Sequence, residues 1–156
     1  MQTKHFIITP YQDKHKESIL ALSNRYIEFE LSSWRDRKIM ENFHKEAAIK
    51  ATESSTTQIF VAEDNQGKFL GYIQLGEFID SFTNVKQGFI DSIAITKEAE
   101  GKGIGKGLMD FAEEWAREQG YGTVVLFVFA NNEKARKLYE RMNYKQETIK
   151  YVKILD

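Results

Sequence analysis

The chain has 156 residues, and its 22 basic and 23 acidic side chains leave a formal net charge of −1. This length predicts a single domain over residues 1–156, and a near-neutral chain has no global positive field to draw it onto nucleic acid or an anionic membrane. The longest uninterrupted apolar run, Val124–Ala130, is far shorter than the roughly 18 residues that span a bilayer. The first residues also lack the apolar stretch of a signal peptide, so we expect a soluble, cytoplasmic protein that binds neither membranes nor nucleic acid.

The side chains that usually hold metals or form disulfides are scarce. There is no cysteine, which excludes a disulfide scaffold, a thiolate metal site and a cysteine nucleophile. The three histidines, His5, His15 and His44, are scattered, and no two are spaced i,i+4. We therefore expect no metal site.

The first third of the chain shows one strand pattern followed by two helical patterns. Lys4–Thr9 is predicted to be a short strand that Pro10 ends. Asp13 is the predicted N-cap of a first helix, the run Glu28–Ser33 breaks the period, and a second helix is predicted over Trp34–Ala51. The stripe of the second helix that we expect to face the core is Ile39, Phe43, Ala47 and Lys50.

Strand patterns dominate the middle of the chain. Thr57–Glu63 alternates, and the turn signal Asp64–Gly67 predicts a hairpin to a second strand over Lys68–Ile79. Asp80–Lys86 is predicted to be a loop, and Phe89–Thr96 the next strand.

The last third alternates between helix and strand. A helical period begins at Ile104, with Gly120 as its predicted C′ residue. Thr123–Ala130 is almost wholly apolar, as expected of a strand buried on both faces. The remaining predicted elements are a short helix over Glu133–Met142, a left-handed Asn143, and a final β segment over Tyr144–Leu155.

The element order is therefore β-α-α-β-β-β-α-β-α-β. It predicts an α+β or α/β domain with a mixed sheet and helices on its faces. The unit Phe89–Ala130 is predicted to be a right-handed parallel crossover.

A glycine-rich loop links the strand and the helix of that crossover. Residues Glu100–Gly107 read Glu-Gly-Lys-Gly-Ile-Gly-Lys-Gly. The free N–H groups and the dipole of a helix N-terminus favour an anion, the glycines admit a phosphate to the backbone, and Lys102 and Lys106 add positive charge. The spacing fits neither a Walker A loop nor a dinucleotide fingerprint. A flexible turn without a ligand is the alternative reading of the glycines.

Two segments together resemble the GNAT acyltransferase superfamily. The family's phosphate loop reads Arg/Gln-x-x-Gly-x-Gly/Ala, and Gly103 and Gly105 match it. A second family hallmark, Asn-x-x-Ala-x-x-Leu-Tyr followed by Gly-Phe, is similar to Asn132–Tyr144. The resemblance implies a mostly antiparallel sheet with a central parallel β-α-β crossover. Glu100 replaces the family's Arg or Gln, and a carboxylate there suits a phosphate only if it points away or is paired.

The resemblance further implies an acetyl-CoA-dependent N-acetyltransferase that transfers the acetyl group directly to a primary amine in a ternary complex. Backbone groups of the strand would bind the thioester carbonyl and the pantetheine arm, the loop would bind the phosphates, and an Asn side chain would hold the cofactor. The cofactor-binding residues carried over are Ile93, Ala94, Ile95, Gly101, Lys102, Gly103, Ile104, Gly105, Lys106 and Asn132. Asn132 is equally suited to be a helix N-cap.

Two residues are candidates for catalysis. From its helical spacing Tyr139 is an inward core aromatic, whereas the family motif makes it the acid that protonates the CoA thiolate. Asp91 interrupts an apolar strand two residues before Ile93, so we expect it to share a strand face with that residue. It either relays a proton through water, anchors a cationic acceptor, or is a solvated carboxylate.

The acceptor site is predicted to lie between two non-periodic segments, Glu28–Trp34 and Ile79–Lys86. Acidic residues gather there, which is compatible with a small cationic amine as acceptor; an ordinary solvated surface is the alternative reading. Two alternatives stay open: a protein lysine or N-terminus as acceptor, and an acyl-CoA-binding module without catalysis. A homodimer is compatible with the family resemblance.

Overall fold

One sheet of five strands organises the chain. A computed structural model describes residues 5–156, so Lys4 of the predicted first strand lies outside the described residues. In spatial order the strands are β1 (Phe6–Pro10), β2 (Gln58–Asp64), β3 (Phe69–Ile79), β4 (Lys86–Ile95) and β5 (Val124–Leu126). Neighbouring strands are antiparallel except β4 and β5, which are parallel. The predicted mixed, mostly antiparallel sheet with a parallel β-α-β unit is therefore confirmed.

Helices cover both faces of this sheet, as the sequence predicts. They are α1 (Lys16–Ala21), α2 (Arg37–Glu53), α3 (Ile104–Glu118) and α4 (Glu133–Arg141), with short 3₁₀ turns at Asp13–His15, Ser23–Ile27 and Lys97–Ala99. One core cluster joins α3 to the sheet, and Tyr139 and Met142 pack against it. The second cluster joins α1 and α2 to the opposite face through Val61 and Tyr72.

The inner stripe of α2 differs from the predicted one. Ile39 and Phe43 are 68% and 62% exposed, whereas the buried residues are Met40, Ala48, Ala51 and Thr52. The helix begins at Arg37, after Asp36 accepts a hydrogen bond from the N–H of Ile39 at 3.0 Å. Three of the four buried side chains are small, so α2 packs closely against its neighbours and leaves Ile39 and Phe43 outside.

The chain after β5 also departs from the prediction. Thr123–Ala130 was expected to be buried on both faces, but β5 ends at Leu126 and Phe127 is 70% exposed. Continuous apolar sequence here does not indicate a buried strand, because the chain leaves its neighbour β4 after three paired residues.

The predicted final strand over Tyr144–Leu155 is likewise absent. Asn143 adopts the predicted left-handed conformation (φ 67°) and Tyr144 packs into the first core cluster. Residues 145–156 then carry no helix or strand and are exposed throughout. Their strand-like pattern forms no strand, because these residues pair with none of the five strands of the sheet.

Candidate active site

The site is built where β4 and β5 part. Their ladder ends at the pair Ile90–Leu126, although β4 continues to Ile95. Residues Ile93–Ile95 still pair with β3 on their other side. Among the described residues, no strand lines the second edge of 91–95. Its backbone N–H and C=O groups are therefore directed to partners other than a strand.

A β-bulge sits at the same point. Gln74 pairs with Ser92 and Leu75 pairs with Ile90, so Asp91 is the extra residue. Ile90 and Ile93 consequently pack into the same core cluster, and Asp91 instead accepts a hydrogen bond from Gln74 Nε2 at 2.8 Å. The expectation that Asp91 shares a strand face with Ile93 is therefore wrong. The bulge breaks the two-residue alternation on which that expectation rested.

Two tyrosines stand close to the bulge on the α1–α2 face. The hydroxyls of Tyr26 and Tyr72 are hydrogen-bonded to each other. Burial raises the pKa of Tyr26 well above its usual value and that of Tyr72 to about 12. Burial also raises the pKa of the Asp91 carboxyl and lowers the pKa of His44, whose ring stacks on Tyr26 at 5.0 Å between centroids. Asp91 is thus the carboxyl of this group, whose other members, Tyr26, Tyr72 and His44, are kept neutral by burial.

The glycine loop lies at the end of β4 and opens α3. Gly101 and Gly103 have φ angles of +75° and +80°, and a Cβ at either position would meet no atom within 4 Å. Their backbone conformation, and not packing, therefore requires glycine. Gly103 is the N-cap of α3, and the first backbone hydrogen bond inside the helix runs from Gly107 N to Gly103 O at 3.0 Å. The preceding N–H groups of α3 are available to an anion.

Glu100 is paired, which meets the condition set by the sequence. Its carboxylate accepts hydrogen bonds from Arg25 and from Lys134 Nζ, the latter at 3.0 Å. These two cations, Lys134 foremost, lower the pKa of the Glu100 carboxyl. Arg25 comes from the 3₁₀ turn after α1 and Lys134 from the first turn of α4.

Helix α4 brings Asn132 and Tyr139 beside this region. The Asn132 side chain accepts a hydrogen bond from the N–H of Ala135 at 3.3 Å, so its predicted N-cap role is confirmed. Leu138 lies 3.6 Å from the point where a Cβ on Gly105 would be, which places α4 against the loop. Burial raises the pKa of Tyr139, so its hydroxyl stays protonated at neutral pH. The roles of Asn132 toward a cofactor and of Tyr139 as an acid remain predictions.

A cleft of about 970 Å³ adjoins Glu100. It is lined by residues 28–33 together with Arg25, Glu100, Asn131, Asn132, Glu133, Lys134 and Lys137. No residue of Ile79–Lys86 lines it, so the two segments predicted to share the acceptor site do not meet there. Glu77 and Lys86, near the tip of the β3–β4 hairpin, instead form an ion pair at 3.7 Å.

The loop before α2 is tied to the chain that follows β5. The rings of Phe29 and Phe129 lie 5.9 Å apart, and Asn131 Nδ2 donates to Glu30 O at 3.0 Å. The guanidinium of Arg35 lies over the Phe129 ring at 5.5 Å. These contacts hold the two walls of the cleft together.

Sequence reasoning missed several residues of the site, namely Arg25, Tyr26, Tyr72, Gln74 and Lys134. For Gln74 a signal existed, because it is a polar residue between the buried Ile73 and Leu75, the same feature that singled out Asp91. Arg25 gave no such signal, since its partner Glu100 lies 75 positions further along the chain.

Comparison with known proteins identifies the family. The model of the acetyltransferase (GNAT) family matches residues 19–144. The chain belongs to the GNAT family. It is 30% identical over 132 residues to an uncharacterized N-acetyltransferase, YhfO, of Bacillus subtilis (strain 168), and the match covers 84% of each chain. This GNAT protein is an N-acetyltransferase.

Solved structures agree with that assignment. A putative acetyl transferase from Pyrococcus furiosus superposes with a TM-score of 0.74 at 28% identity, covering 96% of this chain and 99% of that one. The aminoglycoside N-acetyltransferase AAC(6')-Iy, solved in complex with CoA, shares the fold with a TM-score of 0.69 at 14% identity and 97% coverage of both chains. Within residues 5–156, no helix is long and apolar enough to cross a membrane, and no three potential metal-ligating side chains cluster.

Proposed function

We propose that this GNAT protein uses acetyl-CoA to acetylate the primary amine of a small cationic molecule, by direct transfer in a ternary complex. The observation that carries the proposal is the parting of β4 from β5, which leaves the edge of residues 91–95 without a strand partner beside the glycine loop. An extended pantetheine arm is itself a chain of amides, and it would hydrogen-bond to that edge as a strand does. We further propose that residues 1–156 act as one domain.

The residues of the loop and strand fit such a cofactor. Gly101, Lys102, Gly103, Ile104, Gly105 and Lys106 would hold the phosphates, through the N–H groups of the first turn of α3 and the two lysines. Backbone groups of Ile93, Ala94 and Ile95 would hold the pantetheine arm and polarise the thioester carbonyl. The Asn132 amide has a second hydrogen-bonding group, its NH₂, that the cap does not use.

Tyr139 and Asp91 would carry the proton transfers. The amine nitrogen forms a bond to the acetyl carbon, the carbon–sulfur bond breaks, and the sulfur leaves with the electron pair. The Tyr139 hydroxyl would supply a proton to that sulfur, and its raised pKa keeps this proton in place at neutral pH. Asp91 would bind the cationic amine or take up its proton through water, held by the Gln74 amide.

The cleft is lined by both acidic and basic side chains, and its residues 28–30 support a cationic acceptor. Glu30 and the ring of Phe29 offer a positive amine a carboxylate and an apolar surface, whereas Glu28 is already ion-paired with Arg25. A structural neighbour of the same fold acts on aminoglycosides, which are cationic amines. A protein lysine or N-terminus remains the second candidate for the acceptor, and an acyl-CoA-binding module without catalysis the third.

We also propose that two copies of the chain associate through the C-terminal segment, residues 145–156. The apolar side chains of Ile149, Tyr151 and Leu155 are exposed, and so is Phe127, which follows β5 at the edge of the sheet. An unpaired sheet edge and an exposed segment of strand-like sequence in one chain can complete each other between two copies. The expected cytoplasmic location stays a prediction that cell fractionation would test.

Calorimetric titration with acetyl-CoA tests the cofactor assignment. Gly103→Glu should abolish binding, because it places a carboxylate at the N-terminus of α3. Gly103→Ala is the matched control, since it introduces the same strain at φ +80° without the charge and should retain most of the affinity. A panel of small amines, peptides with a free N-terminus and lysine peptides, followed by CoA release, then separates the three candidates. Wild-type protein that does not bind acetyl-CoA would contradict the proposal.

A further inference from the structure

A three-residue ion-pair cluster joins separate elements at the edge of the glycine loop. Glu100 precedes the first left-handed glycine and binds Arg25 from the turn after α1 and Lys134 from α4. The Arg25 side chain is only 17% exposed, and its Nε also lies 3.4 Å from Glu28 Oε2. Within residues 5–156, its buried Nη1 has no hydrogen-bond partner. Arg25 is therefore a largely desolvated cation with donor capacity to spare.

The placement of this cluster matters because of what stands at position 100. The GNAT pattern has Arg or Gln there, whose side chain adds donors to the loop, whereas this chain has an acceptor. Arg25 and Lys134 bring donors to the same point from outside the loop. Both residues, like Glu100, line the cleft of about 970 Å³.

We propose that Arg25 and Lys134 are further side-chain ligands of the CoA phosphates, beside Lys102 and Lys106 of the loop, and that Glu100 competes with those phosphates for Arg25 and Lys134. This inference rests on the proposed function. In the free protein the Glu100 carboxylate accepts hydrogen bonds from Lys134 and from Arg25, whose Nε also lies beside Glu28. A phosphate brings more acceptor oxygens than one carboxylate, and guanidinium groups bind it in a bidentate way.

The competition gives the cluster a signature that a purely structural ion-pair cluster lacks. Removing a cation should weaken CoA binding, whereas removing the Glu100 charge should strengthen it. A cluster that only clamps α4 to the turn after α1 would lose stability with either change and would not distinguish phosphate-bearing ligands from others.

Affinities of purified variants for CoA, dephospho-CoA and pantetheine, which lacks these phosphates, test the proposal. Lys134→Met is the primary variant, because a side chain that is 78% exposed can be shortened without unfolding the protein. We expect it to weaken CoA binding about two- to five-fold, the range spanned by exposed ion pairs, and Arg25→Gln about tenfold or more. Glu100→Gln should tighten CoA binding about two- to five-fold. Lys50→Met, in the last turn of α2, is the control lysine and should change nothing.

Pantetheine affinity should stay at the wild-type value in all of these variants. An equal loss for pantetheine and CoA, or an unchanged CoA affinity in Lys134→Met, would overturn this inference and leave the proposed function in place. Weaker CoA binding by Glu100→Gln would overturn the competition. Wild-type protein that binds no CoA would overturn the proposed function and this inference together.

Discussion

The packing of Gly107 against Phe6 is one of the contacts that seat α3, which follows the glycine loop, on the sheet. Gly107 is buried in the first turn of α3, and a Cβ there would come within 2.4 Å of Phe6 Cζ and 2.9 Å of Cε2. Carbon atoms in favourable contact are roughly 3.5–4.0 Å apart. Gly107→Ala must therefore displace the ring or the helix, which costs about 1–3 kcal/mol in a packed core. Alanine returns about 1 kcal/mol through its higher helix propensity.

The expected net effect is a loss of about 1 kcal/mol in the free energy of unfolding, or about 2–4 °C in Tm for a chain of this size. Gly105→Ala is the control in the same helix turn, because its Cβ would lie 3.6 Å from Leu138 Cδ2, an ordinary contact. It should keep the propensity gain and be as stable as the wild type or up to about 1 kcal/mol more stable. Urea and thermal unfolding without ligand measure both. A Gly107→Ala protein as stable as Gly105→Ala would refute the packing argument, and Phe6→Leu should relieve the loss.

Three further outcomes are expected. Tyr139→Phe should lower kcat about 100-fold with unchanged CoA affinity. Tyr144→Phe is the control: it removes a buried hydroxyl that has no partner among the described residues, and it should leave kcat and stability near wild type. Steady-state kinetics that show equal losses of kcat in the two variants would contradict the acid role of Tyr139. Asp91→Asn should raise the KM for the amine. Burial raises the pKa of Asp91 above its value in the unfolded chain, so the ionised carboxylate lowers the stability of the folded protein at neutral pH. This cost disappears at low pH, where the carboxyl is protonated in both states. Asp91→Asn should therefore stabilise the protein at pH 7 and not at pH 3. Replacing Ile149 and Tyr151 by lysine should shift the sedimentation coefficient from that of a dimer to that of a monomer. Wild-type protein that already sediments as a monomer would exclude the proposed association.

Local sequence patterns predict most strands of the sheet. The wrong predictions are those that depend on which strand lies alongside, and a local pattern does not show that. The alternation in β2 and the Asp64–Gly67 turn specify a hairpin that the structure confirms, because the turn closes between adjacent segments. The apolar run after Thr123 predicts a long buried strand, yet only Val124–Leu126 find β4 beside them. Whether an apolar residue is buried depends on where the neighbouring strand goes, and the run itself carries no information about that.

The site divides in the same way. Asn132 and Gly103 take the conformations their motifs predict, since capping and left-handed turns are decided within a few residues. Asp91 was recognised as unusual because it is a charge in an apolar strand. The face of the strand on which Asp91 lies could not be predicted, because the bulge shows only in the strand pairing, in which Gln74 lies opposite Ser92 and Leu75 opposite Ile90.

The bulge and the parting of the strands have a common position, which would let one strand serve the two ligands of the proposed function. From Gly88 to Ile90, β4 is an interior strand with a partner on each side. At Asp91 the extra residue bends the strand and turns the alternation over. From there on, β3 holds one edge of β4 and the other edge has no strand partner and would be open to the proposed cofactor, while Asp91 lies near the tyrosines of the opposite face. The acetyl donor would bind at the open edge of β4 and the acceptor amine at Asp91, so the two would meet next to the bulge. Direct transfer requires the two reactants to be held this close together.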